Sequence, residues 1–431
     1  MNLLQTGSTA GLNKPSNYKW WVVGMLWCIC VLNYADRQAI FSVFPKLKAE
    51  FGFDKVQLGL IGSAFMWVYA ASAPCAGIAG DIFQRKHLIL GGCLFWSGVT
   101  MITGLCGKLW QFVLVRAAEG FGETFYFPAS MSMLSDYHSG GTRSRAMSLH
   151  QSSVYVGTIL GSWWGAWFAE KHGWRVGFYV FGGAGLVLAI ILYRFLKEPP
   201  RTGGQEAGTD IRDRVSLAEG WAAIFKEPSA ILIMSAFVGA NFVATIFLTW
   251  TPTFLVEKFG FKLTTAGLSG SVFIHLASAC SVSIAGLLAD RLAARMSGGR
   301  MLVQISGLVL GSGFVFVVGR TTDVGALIFA MIIYGACKGF YDSNIFAAIY
   351  DIVPPPVRAS AAGIMNTVGW GGGALGPLAV GWFSKHGGGA SEMENMSRAI
   401  SSCSVIYLVS AALLGLAIWR FPKKVKTSAP R

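Results

Sequence analysis

The stretch Arg116-Ala-Ala-Glu119-Gly-Phe-Gly-Glu123-Thr-Phe-Tyr-Phe-Pro128 places one cation and two carboxylates inside an apolar run long enough to cross a membrane as a helix. At about 100° per residue, Arg116 and Glu123 fall within about 20° of each other on a helix, and Glu119 lies about 60° away. The three charged side chains therefore share one face. Because a charge near the bilayer centre costs at least about 2.5 kcal/mol, we expect that face to meet protein or a wet cavity.

The composition of the chain agrees with a membrane location. Of its 431 residues, 53% are hydrophobic and 13% are charged, whereas soluble domains carry about 25% charged residues. This predicts an all-α membrane protein with twelve transmembrane helices in two six-helix halves. The apolar windows cover residues 20–45, 56–79, 88–107, 109–134, 148–169, 174–196, 229–255, 265–289, 301–319, 324–350, 360–384 and 397–421.

A polar segment divides these windows into two sets of six. The predicted organisation is therefore an N-terminal segment, a six-helix bundle, a linker, a second six-helix bundle and a tail, over residues 1–19, 20–196, 197–228, 229–421 and 422–431. Three motifs recur in the same order in both halves, which indicates duplication. They are Gly77-x-x-x-Asp81-x-x-x-Arg85 and Gly286-x-x-x-Asp290-Arg291-x-x-x-Arg295, then Glu119-Gly-Phe-Gly-Glu123 and Lys338-Gly-Phe-Tyr-Asp342, then Trp167-Phe and Trp382-Phe.

The net charge of +14 follows the membrane topology. If both termini are cytoplasmic, most of the 35 Lys and Arg residues fall on the cytoplasmic side, as the positive-inside rule requires. The lipid bilayer is then the partner of this charge, and we expect no nucleic acid. From the compact loops and short tails we expect a monomer in a bacterial inner membrane.

Nothing in the sequence indicates an enzyme. The eight cysteines all lie in predicted spans, where packing explains them better than a metal or a disulfide, and Cys28-x-Cys30 has no second pair. We find no nucleophile with a base and no metal cluster, so we expect no cofactor and no metal. A sensor would carry a signalling extension, whereas the tail reads Lys423-Lys424-Val-Lys426, which favours anchoring at the membrane surface.

The paired loop motifs around Asp81 and Asp290, together with the glycine-rich run after Arg116, resemble the major facilitator superfamily over the whole chain. Within that superfamily, four stretches resemble the anion:cation symporter family: Asn33-Tyr34-Ala-Asp36-Arg37, Ser63-Ala-Phe-x-x-x-Tyr69, Arg116-x-x-x-Gly-x-x-Glu123 and Phe127-Pro128-Ala129. The resemblance implies transport of small organic anions, often sugar acids, with protons or sodium. The first loop motif departs from the superfamily pattern at Ile82 and Gln84, so we expect a weaker contact there.

Seven ionisable groups lie in the predicted spans, and their formal charges sum to −1. Protonation of one carboxylate makes the set neutral, and addition of a monoanion then returns it to −1, which permits proton-coupled anion transport. The seven are Asp36, Arg37, Arg116, Glu119, Glu123, Lys338 and Asp342.

A guanidinium binds a carboxylate through two parallel hydrogen bonds, so Arg37 and Arg116 are candidates for holding the anion. The alternative is that each arginine neutralises a carboxylate, Arg37 with Glu123 or Arg116 with Asp36. Asp36 and Glu123 are the candidate proton carriers, since each is close in sequence to an arginine that releases it when substrate binds. The resemblance implies coupling through the same two positions.

The remaining candidates are uncharged side chains that line a substrate path, and charged residues with gating or structural roles. The first group also has a simpler explanation, hydrogen bonding between helices. It comprises Tyr34, Tyr69, Gln151, Asn366 and Trp370. The second group comprises Asp81, Arg85, Asp290, Arg291 and Arg295 in the loops, Lys338 with Asp342 as a local ion pair, and Glu119 as either a fixed salt bridge or a coupling group.

Two other transport functions are compatible with parts of the pattern. A spinster-like lipid or lysolipid carrier shares an Asp-Arg pair in its first helix and a Gly-x-Gly-Glu run in its fourth, although Phe127-Pro128-Ala129 favours an anion symporter. An organophosphate exchanger would need an arginine in the seventh helix, and residues 230–255 contain none.

Overall fold

The computed structural model describes residues 17–138, 140–199, 222, 224–353 and 358–420, with the backbone alone at residues 77, 78, 80–82, 140, 359 and 360. Within these ranges the ordered elements are helices, and no strand occurs. Most of the predicted N-terminal segment, linker and tail lies outside the described residues. The first half contains α1 (Tyr18–Ser42), α2 (Phe44–Phe51), α3 (Lys55–Ile82), α4 (Arg85–Thr103), α5 (Leu109–Thr124), α6 (Tyr126–Tyr137), α7 (Gly140–Lys171) and α8 (Trp174–Phe195).

The second half repeats this plan. It contains α9 (Pro228–Phe259), α10 (Leu263–Arg295), α11 (Gly299–Arg320), α12 (Val324–Asp342), α13 (Ile345–Tyr350), α14 (Arg358–Gly373), α15 (Leu375–His386) and α16 (Glu392–Arg420). Three helix pairs each make one crossing, namely α5 with α6, α12 with α13, and α14 with α15, and α2 extends the crossing begun by α1. The described residues thus form twelve crossings in two six-helix halves, as the sequence predicts. Seven crossings qualify as spans on length and composition alone.

The halves are broken at equivalent places. One break lies at Phe125, two residues after Glu123, and the other lies at Ser343 and Asn344, directly after Asp342. Glu123 and Asp342 occupy the same position in the repeated motif, so each half ends a helix segment just beyond an intramembrane carboxylate. The matching helix breaks therefore support the duplication that the sequence motifs indicate.

A further break, at Ala374, follows from proline chemistry. Pro377 has no N–H group, so the carbonyl of Gly373, four residues earlier, loses its helical partner. The Thr245 hydroxyl from α9 donates to that carbonyl at 2.6 Å. The Ser63 hydroxyl of the other half donates to the Ala374 carbonyl at 2.5 Å. These two hydrogen bonds tie the bend to both halves.

The two halves are joined at one face, which we call the Lys55 face because α3 begins there. Ion pairs cross between the halves from Lys55 to Glu257 at 2.6 Å, from Lys48 to Glu392 at 3.1 Å, and from Lys385 to Asp54 at 2.7 Å. The Lys55 side chain is only 1% exposed, so its charge depends on these partners. The Lys55 face is closed by charge pairing between the halves.

Small residues let the helices of the two halves approach closely below this face. A Cβ on Gly59 of α3 would come within 2.6 Å of the Pro377 carbonyl oxygen of α15. A Cβ on Gly267 of α10 would collide with the backbone of Ser162 in α7. Within the first half, Gly157 and Gly165 of α7 likewise approach the α1 backbone, so these two helices pack closely.

One contact at the Lys55 face is sensitive to acid. Glu170, at the end of α7, accepts the backbone N–H of Thr264 at 2.9 Å and its hydroxyl at 2.7 Å. The backbone hydrogen bond and then the hydroxyl hold the pKa of Glu170 below its usual value. A lowered pKa means that this contact contributes stability above the ordinary pKa of glutamate and loses it as the pH falls through the lowered value. Acid therefore weakens the contact between α7 and α10.

At the opposite face, where α1 begins and α16 ends, charged residues bind within their own half. We call this the terminal face. Arg85 pairs with Asp136, and Arg300 pairs with Asp290 at 3.0 Å and with Asp351 at 2.7 Å. Arg291 and Arg295 are exposed, and the side chain of Asp81 lies outside what the structure describes. Among the described side chains, no predicted gating residue forms an ion pair with the other half, so the described ion pairs between the halves lie at the Lys55 face.

We predict that Gly59→Leu shifts the protein away from the state that is closed at the Lys55 face. Overpacking at such a contact costs about 1–3 kcal/mol, and the cost applies only while α3 lies against α15. Hydrogen exchange measured by mass spectrometry should increase in residues 47–60 and 383–396. The matched control is Gly24→Leu, because no atom lies within 4 Å of a Cβ at Gly24. Equal exchange in the two variants would show that this contact does not control the state.

Candidate substrate and ion-coupling site

The centre of the site is an ion pair between Arg37 of α1 and Glu123 of α5. Arg37 donates to the Glu123 Oε2 atom from Nε at 3.0 Å and from Nη2 at 2.6 Å. Both side chains are almost fully buried, with 4% and 0% exposed. The Arg37 Nη1 and Glu123 Oε1 atoms have no hydrogen-bond partner among the described residues. The ion pair therefore uses only the Nε and Nη2 atoms of Arg37 and the Oε2 atom of Glu123, and each side chain keeps one free hydrogen-bonding atom.

Four aromatic rings surround the Arg37 guanidinium and form what we call the Arg37 cage. The carbon of the guanidinium lies 4.6 Å from the ring centre of Tyr34, 4.6 Å from Phe65, 5.1 Å from Tyr69 and 5.6 Å from Trp370. Aromatic faces attract a cation, and more strongly when water is excluded. Trp370 belongs to α14 of the second half, so the cage spans both halves.

Arg116 makes a different set of contacts, all within the first half. Its Nη1 atom forms an ion pair with Glu119, and its Nη2 atom donates to the Arg37 backbone carbonyl at 3.4 Å. The other Glu119 oxygen accepts the hydroxyls of Thr100 at 3.4 Å and Thr103 at 3.3 Å. Arg116 is thus neutralised by a carboxylate, as the alternative interpretation holds, but the carboxylate is Glu119 and not Asp36.

Of the seven intramembrane ionisable groups, Asp36 is the one that forms no ion pair among the described residues. It is 1% exposed, and neither carboxylate oxygen has a hydrogen-bond partner among the described residues. The three intramembrane ion pairs, Arg37 with Glu123, Arg116 with Glu119, and Lys338 with Asp342, are each neutral. The formal charge of −1 that the seven groups carry therefore belongs to Asp36.

The structure brings together some of the predicted lining residues and leaves one apart. Tyr34, Tyr69 and Trp370 meet in the Arg37 cage, and the rings of Tyr69 and Trp370 lie 5.6 Å apart. Asn366 lies one helical turn before Trp370 on the same side of α14 and is partly exposed. Gln151 has an exposed side chain on α7 and makes none of the contacts of the Arg37 cage.

Two residues that sequence reasoning missed occupy central positions. Phe65 lies between the two arginines, 4.6 Å from the Arg37 guanidinium and 4.7 Å from that of Arg116. The signal was present, since Phe65 is four residues before Tyr69 and hence on the same side of α3. Gln38 is the other, because its amide donates to the Leu248 carbonyl of the second half at 2.9 Å. That carbonyl is left free by Pro252, four residues later, which has no N–H.

No cluster of histidine, cysteine or acidic side chains in the described part of the chain has the arrangement of a metal site. The eight cysteines are free, and five of them are buried among the helices. The chemistry of the site is therefore that of paired charges, one unpaired acid and aromatic faces.

Two six-helix halves that meet at one face and enclose paired charges define the fold of a secondary transporter. The chain belongs to the Major Facilitator Superfamily, whose model matches residues 26–377 and 276–431. It is an integral multi-pass membrane protein, and its relatives are transporters and not enzymes.

Two curated relatives and one solved structure illustrate the similarity. The chain is 28% identical over 387 residues to the "Sodium-dependent phosphate transport protein 1, chloroplastic" of Arabidopsis thaliana, covering 86% of this chain and 74% of the relative. It is 23% identical to the "Probable galactarate/D-glucarate transporter" of Escherichia coli, covering 87% and 89%. Relatives that carry anions and sugar acids confirm the resemblance to the anion:cation symporter family.

The solved structure is a bacterial homologue of the human lysosomal transporter Spinster in an inward-facing, unoccupied conformation. It matches with a TM-score of 0.81 at 20% identity, over 94% of this chain and 98% of that chain. At this level of identity the match establishes the fold and no more.

We predict that Glu119→Gln strongly destabilises the protein. The change keeps the shape of the side chain but leaves the Arg116 charge buried and uncompensated, which costs about 3–5 kcal/mol. Thermal unfolding of the detergent-solubilised protein measures the loss. Glu392→Gln is the control, because that side chain is 45% exposed and its ion pair contributes at most about 1 kcal/mol. Equal stability of the two variants would show that Arg116 does not depend on Glu119.

Proposed function

We propose that the protein is a proton-coupled symporter of small organic anions, with sugar acids as the substrate class, and that it works by alternating access. The observation that carries the proposal is the charge balance of the seven intramembrane groups, which form three neutral ion pairs and leave one buried acid, Asp36, unpaired.

Asp36 is the proposed proton carrier. A carboxylate removed from water without a hydrogen-bonding or charged partner is expensive to keep ionised, so the neutral form is favoured while the site is closed. The charged side chains that act on Asp36 are Glu123, Glu119 and Arg116, two acids and one base. Arg116, the base, already forms an ion pair with Glu119. Among the seven intramembrane groups, protonation of Asp36 therefore removes the charge that no ion pair compensates.

Arg37 is the proposed anion-binding residue. Its Nη1 atom is free, and its other contacts to Glu123 involve a single carboxylate oxygen. A substrate carboxylate approaching from the free side competes with Glu123 for the guanidinium, and a Glu123 displaced from Arg37 favours taking up a proton. Glu123 thus links anion binding to protonation. Arg116 remains on Glu119 in this state and supports the Arg37 backbone, so any contact of Arg116 with substrate requires that ion pair to open.

The flanking side chains support a hydroxylated substrate. Tyr34 and Tyr69 carry hydroxyls beside Arg37, Asn366 adds an amide, and the Trp370 ring offers a face on which a polyol can pack. Relatives whose names state transport of galactarate and glucarate support the same class. The sodium-dependent relative makes sodium the alternative coupling ion.

Alternating access is supported by where the halves touch. The ion pairs of Lys55, Lys48 and Lys385 hold the Lys55 face closed, while Asp290 and Arg300 pair within the second half at the terminal face. In the opposite state we expect the first set to separate and Asp290 to bind the first half. Because Trp370 completes the Arg37 cage from the second half, the same movement opens and closes the cage.

Lipid transport is the second candidate, and one feature favours it. An apolar groove between α9, α15 and α16 lies open at the molecular surface, lined by residues such as Phe242, Trp382, Phe383 and Val405. An acyl chain fits such a groove. The groove lies away from the Arg37 cage, however, and a lipid carrier has no need of the charge balance described above.

We predict that the purified protein in proteoliposomes accumulates galactarate or galactonate when the interior is alkaline, and that added sodium does not replace the pH gradient. Asp36→Asn should abolish this accumulation while retaining exchange of internal for external anion, because the neutral side chain mimics the protonated state. Asp323→Asn is the control, since Asp323 is an exposed helix cap and asparagine caps equally well.

Gradient-driven accumulation by the Asp36→Asn variant would remove Asp36 from the coupling path. Accumulation driven by sodium in the wild type would replace the proton by sodium. If the folded protein carries no acid but moves a fluorescent lysolipid, the second candidate is correct.

A further inference from the structure

A small cavity between the two halves is separate from the Arg37 cage. It lies where α1 meets α9, α10 and α12, and its polar lining consists of Gln38, His275, Tyr334 and Lys338. The His275 ring is 6.2 Å from that of Tyr155 on α7. Gln38 and Tyr155 belong to the first half, and the other polar residues belong to the second. The cavity thus lies between the halves, and its lining combines apolar residues, such as Phe247 and Ile274, with four polar side chains that include one cation.

Gln38 presents an unused acceptor at this cavity. Its side chain is 3% exposed, and its amide nitrogen is committed to the Leu248 carbonyl. The Oε1 atom has no hydrogen-bond partner among the described residues. An unsatisfied buried carbonyl costs about 1–3 kcal/mol, and a donor such as a ligand hydroxyl would remove that cost.

Lys338 supplies the positive charge. Its side chain is 19% exposed and pairs with Asp342, one turn later on α12, which is itself 36% exposed. The carboxylate is thus the more accessible member of the pair. A pair whose acid is this accessible can part more readily than the buried pair of Arg37 and Glu123, whose exposures are 4% and 0%.

The cavity and the Arg37 cage flank the same side of α1. Tyr34 and Gln38 are four residues apart and therefore lie one above the other on that helix. The Tyr34 ring packs against the Arg37 guanidinium, and Gln38 lines the cavity with Lys338. A molecule lying along Tyr34 and Gln38 would have an arginine of the first half at one end and a lysine of the second half at the other.

We propose that this cavity is a second anion subsite, in which Lys338 binds a second acidic group of the substrate and Gln38 accepts a hydroxyl. The transported molecule is then a dianionic polyhydroxy acid, with one carboxylate at Arg37 and the other at Lys338. This rests on the proposed function and narrows its substrate class. Binding of both ends also draws the two halves together around the substrate.

Asp342 gives the proposal an internal check. It competes with the second carboxylate for the Lys338 ammonium, so its neutralisation should strengthen binding of a dianion. A lysine that only neutralises Asp342 would produce the reverse, because removal of either partner would then harm the protein regardless of the substrate.

The test compares two probes that differ at one end, galactarate with two carboxylates and galactonate with one. Initial uptake into proteoliposomes is measured for the full-length wild type and three variants. Lys338→Gln should raise the KM for galactarate about tenfold or more, as expected for loss of a charge-assisted hydrogen bond, and change the KM for galactonate less than about threefold. Lys338→Arg should restore most of the selectivity, and Asp342→Asn should lower the KM for galactarate alone.

Equal changes for the two acids in Lys338→Gln would overturn the subsite and assign Lys338 a structural role. A higher KM for galactarate in Asp342→Asn would also overturn it. A wild type that carries galactonate but not galactarate refutes the second subsite and leaves the proposed function standing. A wild type that carries neither acid refutes both.

Discussion

A charge inside a membrane must be matched by another charge, and the arrangement of this protein depends on how that constraint is met. Arg37 and Glu123 join α1 to α5, and Arg116 joins its own helix to the Arg37 backbone while pairing with Glu119. These four side chains hold the helices of the first half together at one point, near the middle of the α1–α2 and α5–α6 crossings. The aromatic rings of the Arg37 cage then exclude water from that point, which strengthens each electrostatic interaction within it.

Six of the seven intramembrane charges form ion pairs, and Asp36 remains unpaired. Because an unpaired buried carboxylate is costly to keep ionised, Asp36 favours taking up a proton. Backbone carbonyls inside the membrane also need partners. Pro252 and Pro377 each free a carbonyl, and Gln38 and Thr245 fill the vacancies, the first across the boundary between the halves. Polar contacts that cross this boundary must break or slide when the halves move, so they are the contacts that set the relative energies of the two states.

Much of this arrangement is visible in the sequence, and the limit has a physical cause. Apolar windows and repeated motifs predict twelve crossings in two halves, because the bilayer imposes a length and a composition on each span. Helical periodicity also places Arg116, Glu119 and Glu123 on one face. It does not reveal which arginine meets which carboxylate, since that depends on how α1 is rotated against α5. The pairing of Arg116 with Asp36, which the sequence leaves open as an alternative to anion binding, is wrong for this reason, because Arg116 pairs with Glu119. Phe65 could have been found from its place one helical turn before Tyr69. Gln38 was missed because its role arises only when α1 packs against α9. The roles of the predicted substrate, coupling and gating residues stay predictions.

The most direct test of the account is the number of protons that the protein takes up when it binds an anion. Galactarate is added to the detergent-solubilised protein in weak buffer, and the change in pH is recorded for the wild type and for Asp36→Asn. We expect the wild type to take up protons on binding and the variant to bind the anion while taking up one proton fewer. Equal proton uptake by the two proteins, with binding verified by calorimetry, would contradict the claim that the unpaired acid carries the proton.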